Sequence, residues 1–491
     1  GRETDLHGSR YMSSKKENLV DEIEKKPASE NPWYVLATLF GEYVTKDVHH
    51  IEVKETSDIN RKYWNAWASQ GMTDGAKSAI KDAKGKSILD DAPEWDSVRL
   101  EVEEKFKARL PKSELPKPSL GVNFYDIIFN NDIYFSDFFF PGDVNFKDTK
   151  FSGDAHFSNT KFFKTAEFNN AEFSGGTSFQ SAKFSKFAMF RSAEFSGGVN
   201  FSSAEFSGDA HFFSANFSGG AIFISTKFFK GPFFSSANFS GTANFRLAEF
   251  SMTSYFDSAK FSKYATFSSV KFSGNANFHN SKFSGLSIFI SAEFNEEANF
   301  SDAVFDSPCN FRDTHFKKYY PDLSGTLLHS KTILTSEDIY WPKKVVEKSN
   351  DDETKAAFES CALLRQNMTS QGLFEAAHFF FRREMAHKAE LSKLWERPFY
   401  VIYRWVEYGY GVKQPLVGIV LLWAAGILLL IYDGFLPFTT ALGLSAANIF
   451  KFFGFQGAYY GGVIESLSSP LQFMTVAQTV TGYLLLSLLG L

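Results

Sequence analysis

The hydrophobic pattern between Phe124 and Phe316 is set by phenylalanine, which recurs at alternating spacings of five and six. This stretch holds 18 copies of an 11-residue unit and 36 phenylalanines of the series. A small residue usually lies two positions earlier, as Ala155 precedes Phe157. An amphipathic helix repeats every ~3.6 residues and is rarely rich in Phe, Ser, Gly and Asn. Self-similarity at a fixed period predicts a solenoid instead.

The register assigns the phenylalanine and the small residue to the interior of that solenoid. A chain that turns a corner every five or six residues can bury these two positions while Ser, Asn, Glu and Lys remain in water. The resulting structural ladder includes Phe146, Phe157, Phe168, Phe195, Phe223 and Phe278.

This ladder resembles the pentapeptide-repeat family, in which the central residue is Leu or Phe and the residue two before it is usually Ala. The resemblance implies a right-handed quadrilateral β-helix with four pentads in each coil. The extra residue in every second pentad predicts 22-residue coils with two longer sides, and nine coils spanning about 43 Å. Glycine at the extra position is expected to form corners with unusual dihedral angles. The alternative is a tighter helix in which each 11-residue unit makes one full turn.

Isolated coils of this kind are not stable, so the two ends of the solenoid need caps. Burying one Phe stabilises by up to about 3 kcal/mol, whereas ordering each backbone residue costs about 1 to 2 kcal/mol. Stability must therefore come from stacking. Residues 31–116 are predicted to form a helical cap around Trp33, Trp64, Trp67 and Trp95, and a ligand pocket is the alternative for this aromatic cluster.

Composition predicts the other boundaries of the 491-residue chain. The first residues show no signal peptide, so the N-terminal part is expected in the cytosol. The predicted segments are an expression scar (1–11), a flexible N-terminus (12–30), the solenoid (117–320), a linker (321–350), and a helical adaptor (351–412) that contains an αα-hairpin and an interfacial helix.

Residues 413–491 contain two uncharged runs, Pro415 to Tyr432 and Leu471 to Leu491, that predict two transmembrane helices. Basic residues cluster before the first run, and Lys451 is the only one after Lys413. The positive-inside rule then places the solenoid and N-terminus in the cytosol and the loop 433–470 outside. The expected location is a bacterial cytoplasmic (inner) membrane.

The order of elements in this region is similar to that of pentapeptide-repeat membrane proteins with a C-terminal potassium-channel-like domain. Two spans flank a re-entrant or pore-helix-like loop at 438–462. The resemblance implies a homo-oligomer, with four copies expected, because two spans alone enclose no conduit. The Thr-Val-Gly-Tyr-Gly filter of those channels is absent, so potassium selectivity is not expected. Candidate pore-loop residues are Asn448, Gln456, Gly457, Gly461 and Gly462.

The second run carries a stripe of polar and small residues at helical spacing. Polar groups in hydrocarbon destabilise unless they find partners or water, so such a stripe indicates either a pore lining or helix packing through hydrogen bonds. The candidate pore-lining residues are Thr475, Gln478, Thr479 and Gly482.

The sequence carries no catalytic motif, so we predict no enzyme, no cofactor and no metal site. Two cysteines exclude a disulfide framework. Between residues 121 and 320, 19 acidic and 17 basic side chains nearly balance, which argues against a nucleic-acid partner and against imitation of DNA. Two functions remain: a cytosolic solenoid that regulates an oligomeric, ion-channel-like pore, or a non-conducting membrane scaffold whose solenoid binds a protein partner, as in stress or phage-defence signalling.

Overall fold

The computed structural model describes most of the chain. The described residues are 25–42, 50–79, 87, 89–342, 351–405, 413–432, 436–451 and 455–487. The predicted expression scar (1–11) lies outside them.

The phenylalanine-rich stretch forms a parallel β-solenoid with four faces, numbered here in chain order. Phe173 pairs with Phe195, two repeat units later, and this register confirms the predicted coil and excludes a full turn in every unit. Face 1 consists of Val122–Asn123, Val144–Asn145, Ala166–Glu167, Ala188–Met189, Ala210–His211, Pro232–Phe233, Ser254–Tyr255, Ala276–Asn277 and Ala298–Asn299. Face 2 consists of Lys26–Pro27, Ile127–Phe129, Lys150–Phe151, Glu172–Phe173, Glu194–Phe195, Asn216–Phe217, Asn238–Phe239, Lys260–Phe261, Lys282–Phe283 and Val304–Phe305.

The other two faces complete each coil. Face 3 consists of Ile133–Tyr134, Ala155–His156, Thr177–Ser178, Val199–Asn200, Ala221–Ile222, Ala243–Asn244, Ala265–Thr266, Ser287–Ile288, Cys309–Phe311 and Ile333–Leu334. Face 4 consists of Phe139–Phe140, Lys161–Phe162, Lys183–Phe184, Glu205–Phe206, Lys227–Phe228, Glu249–Phe250, Lys271–Phe272, Glu293–Phe294 and His315–Phe316.

The predicted phenylalanine ladder fills the interior of the solenoid. All 36 phenylalanines of the series are buried, and the most exposed of them, Phe311, is 5% exposed. Rings one coil apart are stacked: the centroids of Phe223 and Phe245 are 4.7 Å apart, with an interplanar angle of 1°. Each ring therefore packs against the coil before it and the coil after it, which makes stability a property of the stack.

The five-residue and six-residue steps form two different corners. In the five-residue step, the residue two after the phenylalanine adopts a positive φ of 53° to 61°, and at none of these 18 corners is it glycine. The expectation that the extra glycines supply unusual dihedral angles is therefore wrong. Gly197 is required for another reason, because a Cβ there would overlap the carbonyl oxygen of Gly175 in the preceding coil. Almost every strand is two residues long, so the extra residue lies in a corner rather than in a strand.

Helices at the N-terminal end cover the first coil, as the cap interpretation requires. Trp64 is fully buried, and its Nε1 donates to the carbonyl oxygen of Phe139 at 3.0 Å. Lys26–Pro27 pairs with Ile127–Ile128 as an extra strand of face 2, so the expectation of a flexible stretch is wrong for these two residues. The helices are α1 (Pro32–Ala37), α2 (His50–Ser69), α3 (Asp74–Ala79) and α4 (Trp95–Arg109), with a 3-10 turn at Ala28–Glu30.

The first part of the predicted linker is a tenth coil without phenylalanine. Asp322 bridges to Asn299, Leu327 bridges to Val304, and Ile333–Leu334 extends face 3. The assignment of this part to a linker is therefore wrong, and residues 343–350 lie outside the described residues. The αα-hairpin is confirmed as α5 (Asp351–Ser370) and α6 (Phe374–Leu391), after a 3-10 turn at Asp338–Tyr340 and before α7 (Arg397–Trp405).

Four helices form the C-terminal region: α8 (Lys413–Tyr432), α9 (Phe438–Ile449), α10 (Phe455–Ser466) and α11 (Ser469–Ser487). Among the described residues, α8 is the one helix that is long and apolar enough to cross a membrane. The glycine-containing end of the predicted pore loop is helical in α10, although glycine has a low helix propensity. Gly443 of α9 leaves the space that the Tyr460 hydroxyl of α10 occupies.

Candidate functional site

The C-terminal helices enclose a cluster of buried polar side chains, and three of its members were candidates in the sequence. The Oε1 of Gln478 accepts a hydrogen bond from Asn448 Nδ2 at 2.9 Å, and Asn448 Oδ1 accepts one from Gln456 Nε2 at 2.6 Å. Gln478 Nε2 donates to Ser445 Oγ at 2.7 Å and to the carbonyl oxygen of Leu422 at 3.0 Å. This polar cluster, Ser445, Asn448, Gln456 and Gln478, links α8, α9, α10 and α11.

Two glycines allow the helices to approach closely enough for these bonds. A Cβ at Gly426 of α8 would overlap Gln478 Nε2 and Ser445 Oγ. A Cβ at Gly482 of α11 would lie 2.9 Å from the Cα of Ile449. Small residues therefore bring α11 against α8 and α9, as they do in helix pairs of membrane proteins. Gly482 was a candidate in the sequence, whereas Gly426 was not.

The two candidate threonines of α11 are buried and bond to their own helix. Thr475 Oγ1 donates to the carbonyl oxygen of Gln472 at 2.7 Å, and Thr479 Oγ1 donates to that of Thr475 at 2.9 Å. Thr475 is 1% exposed and Thr479 is 6% exposed. The polar stripe of α11 thus faces the other helices of the same chain, which favours the helix-packing interpretation.

The structure does not bring the candidate glycines of α10 into the polar cluster. A Cβ at Gly457, Gly461 or Gly462 would meet no atom within 4 Å, so these positions border open space. Sequence reasoning also missed Ser445. Its signal was available, because Ser445 and Asn448 are three residues apart in an otherwise apolar segment and so share one helical face.

The chemistry available to this cluster is hydrogen bonding between neutral groups. Its amides and its hydroxyl carry no titratable proton, and Ser445 Oγ also donates to the carbonyl oxygen of Trp423 at 2.9 Å. In the described part of the chain, no group of three or more His, Cys, Asp or Glu side chains could hold a metal ion. The outward faces of α8 and α11 are apolar, with exposed Val417, Leu421, Leu428, Phe473, Val480 and Leu484.

A second exposed surface lies between the hairpin and α8. Its apolar side chains are Leu394, Trp395, Phe399 and Val401, which are 67% to 79% exposed. Lys393, Arg397 and Arg404 are exposed beside them. We call these seven residues the juxtamembrane surface, because aromatic and basic side chains together suit the boundary between lipid and water.

Comparison with known proteins identifies the repeat. A family model described as Pentapeptide repeats (9 copies) matches residues 157–204 and 267–315. The solenoid is built from pentapeptide repeats. The two matched segments lie inside the pentapeptide-repeat solenoid, whose regular coils continue before, between and after them. Neither the comparison with curated proteins nor that with solved structures finds a match.

Proposed function

We propose that this chain is a non-conducting membrane scaffold whose pentapeptide-repeat solenoid binds a protein partner. One observation carries the proposal: Gln478, the strongest candidate for a pore lining, is 3% exposed and makes three hydrogen bonds to two other helices of its own chain, α8 and α9. A side chain that lines a pore must face water at a shared axis. The polar groups of this region instead satisfy one another inside a single chain.

The surfaces of the C-terminal helices support attachment to a membrane. The apolar outward residues of α8 and α11 suit lipid, and the juxtamembrane surface precedes α8. Its basic side chains attract the anionic face of a cytoplasmic leaflet. The proposed location is therefore a bacterial inner membrane, with the solenoid and the N-terminus in the cytosol.

The proposed partner-binding surface of the solenoid is face 1 near its middle. Three phenylalanines that flank this face are 41% to 46% exposed: Phe187, Phe213 and Phe229. His211, Phe233 and Tyr255 form a stacked series along it, with centroids 4.9 Å apart. Face 4 is different, because its outward charges pair with each other, as Lys183 does with Glu205 at 3.0 Å.

The occupant that fits face 1 is a protein with an apolar patch and an acidic rim. Exposed aromatic side chains favour protein contacts. Lys186 and Lys230 lie next to the exposed phenylalanines in sequence, and Arg191 lies over the Phe213 ring at 5.5 Å. In a capture experiment, Phe213→Ser and Phe229→Ser should each release the partner, whereas Tyr264→Ser should retain it. Tyr264 is equally exposed but lies between faces 2 and 3, so equal loss in all three variants would contradict this surface.

The second candidate is a regulated pore in an oligomer of several chains. The observation that favours it is α9, a helix of 12 residues that packs against α8 and α11. Such a helix is about 18 Å long, too short for a hydrocarbon core of about 30 Å. A short buried helix between two longer helices is the arrangement that the channel-like resemblance implies.

Ion flux distinguishes the scaffold from the pore. The full chain is purified in detergent, its mass is measured by light scattering, and it is reconstituted into liposomes with an ion-sensitive dye. If the chain is a scaffold, liposomes that contain it should show the same ion flux as liposomes without protein, whatever mass light scattering gives. Flux from an oligomer would refute the scaffold. Gln478→Leu should then alter ion selectivity if this residue lines the pore, whereas Thr481→Val, an exposed position of the same helix, should not.

A further inference from the structure

A cleft of about 290 Å³ lies where the end of the solenoid meets the αα-hairpin. One wall comes from the last coils, through Asn299 and Asp322, and the other comes from α5 and α6, through Glu353 and His387. Its volume is close to the lower end for small-molecule sites, about 300 Å³. The cleft is remote in sequence from the polar cluster of the C-terminal helices.

Apolar groups form much of the wall of this cleft. Small side chains leave the space open, and two tyrosine rings border it. The apolar and aromatic lining residues are Ala298, Tyr319, Tyr320, Ala356 and Ala357. Such a wall suits the hydrocarbon or aromatic body of a ligand.

The charged side chains of the cleft are mostly carboxylates. Glu297, Asp322, Asp352 and Glu353 line it, and Lys318 is the one lysine or arginine among the described lining residues. The charge of Lys318 is already balanced, because its Nζ lies 2.8 Å from Glu296. The lining residues therefore give the cleft a negative potential that favours a cation.

The two carboxylates on α5 remain available to a ligand. Among the described residues, neither Asp352 nor Glu353 has an ion-pair partner within 4.0 Å. Acidic residues in a first helical turn also complement the helix dipole. Asp351 also lies in the first turn of α5 and complements the helix dipole, but it does not line the cleft. It therefore offers a matched control.

His387 adds an unsatisfied polar group to the wall. It is 2% exposed, and its buried Nδ1 has no hydrogen-bond partner in the described part of the chain. Burial and the nearby charge of Arg383 lower the pKa of His387 to about 4, so the ring is neutral near pH 7. Buried polar atoms in folded proteins normally have a partner, and an ordered water molecule or a ligand can supply the one that this nitrogen lacks.

We propose that this cleft binds an organic cation, an ammonium or guanidinium group carried on an apolar body. The carboxylates of Asp352 and Glu353 pair with the charged group, while Tyr319 and Tyr320 pack against the body. The cation is either a free amine or the side chain of a Lys or Arg on a partner protein. Because the walls come from both the solenoid and the hairpin, bound ligand holds these two parts together.

Calorimetry on the full chain in detergent tests the cleft with two probes. The first probe is agmatine, a free amine with a guanidinium group, and the second is a blocked Gly-Arg-Gly peptide. We expect saturable binding of at least one probe with a Kd at or below about 1 mM. The double variant D352N and E353Q should weaken binding about tenfold or more, since it keeps the shape and removes the charge. D351N should bind as the parent chain does.

The two probes distinguish the two sources of the cation. Binding of agmatine alone supports a free amine, and binding of the peptide alone supports a side chain of a partner. The proposal is overturned if neither probe binds saturably, or if D351N weakens binding as much as the double variant does. Circular dichroism of each variant verifies that the solenoid is intact. Because the cleft lies outside the C-terminal helices, this result is independent of the flux measurement.

Discussion

The corner residues with positive φ show how single side chains fit the solenoid. All of them except one are Asp, Asn or Ser, whose short side chains can bond to the local backbone. The exception is Leu247, with a φ of 59° and 44% of its side chain exposed. A leucine gains nothing there that offsets the backbone strain.

Leu247→Asn should therefore stabilise the solenoid by about 1 kcal/mol, because asparagine tolerates the left-handed region better than leucine does. The measurement is the thermal unfolding midpoint of the full chain, followed by circular dichroism. Leu286→Asn is the control, since Leu286 is 42% exposed and does not have a positive φ. An equal rise in both variants would show that removing an exposed leucine, rather than relieving strain, is responsible.

Glycines in the six-residue corners differ in how much space surrounds them. A Cβ at Gly241 would overlap the carbonyl oxygen of Gly219. A Cβ at Gly198 would lie 3.6 Å from the carbonyl oxygen of Gly220, which is an ordinary contact. Gly241→Ala should destabilise the solenoid by about 1 to 3 kcal/mol or more, because two coils must separate. Gly198→Ala should leave the unfolding midpoint nearly unchanged. Similar losses in both variants would refute the close-approach explanation.

At the scale of elements, the phenylalanine coils and the helices at the N-terminal end were predictable, and the tenth coil was not. The ladder was visible because every inward large position between Phe124 and Phe316 is phenylalanine. The tenth coil has no phenylalanine to mark it. It nevertheless repeats a contact of the regular coils: Thr326 Oγ1 donates to the carbonyl oxygen of Phe300 at 2.8 Å, and Thr314 Oγ1 donates to the carbonyl oxygen of Phe289 at 2.7 Å. This equivalence is a three-dimensional contact, so spacing alone could not reveal it.

The polar cluster was predictable in part for a similar reason. Asn448 and Gln478 stand out as polar residues in apolar segments, which indicates that each needs a partner. Their pairing depends on how α9 lies against α11, and one sequence does not contain that information. The glycines of α10 misled the prediction, because the helix propensity of single residues is only a weak guide to whether a segment is helical.

The C-terminal cap depends on Trp341, which joins the end of the phenylalanine ladder to the hairpin. Its ring lies 5.2 Å from that of Phe316 and 5.0 Å from that of Phe380, and it is 4% exposed. Trp341→Ala should destabilise the cap by about 3 to 5 kcal/mol. Hydrogen exchange should then show lost protection near Phe316 and retained protection near Phe168, because coils contact mainly their neighbours. Trp395→Ala, an exposed tryptophan, is the control, and uniform loss of protection along the solenoid would contradict a local cap.

For the whole molecule, buried cysteines make the proposed orientation in a membrane measurable. Cys309 and Cys361 are both fully buried, and burial raises the pKa of each thiol well above its usual value. A raised pKa reduces the fraction of reactive thiolate at neutral pH, so neither native cysteine should react with a maleimide in the folded protein. A single introduced cysteine can then report which side of the membrane it occupies.

Ser251→Cys and Ser468→Cys place such reporters on opposite sides of the proposed membrane. Ser251 is exposed on the solenoid, and Ser468 is exposed between α10 and α11. Because the basic residues precede α8, a membrane-impermeant maleimide should label Ser468→Cys in intact cells and should label Ser251→Cys only after the membrane is opened. As a control, the parent chain is treated with the maleimide before and after unfolding in detergent. Its own cysteines should react only after unfolding. Labelling of Ser251→Cys in intact cells would reverse the orientation and would place face 1 and the cation cleft outside the cytosol.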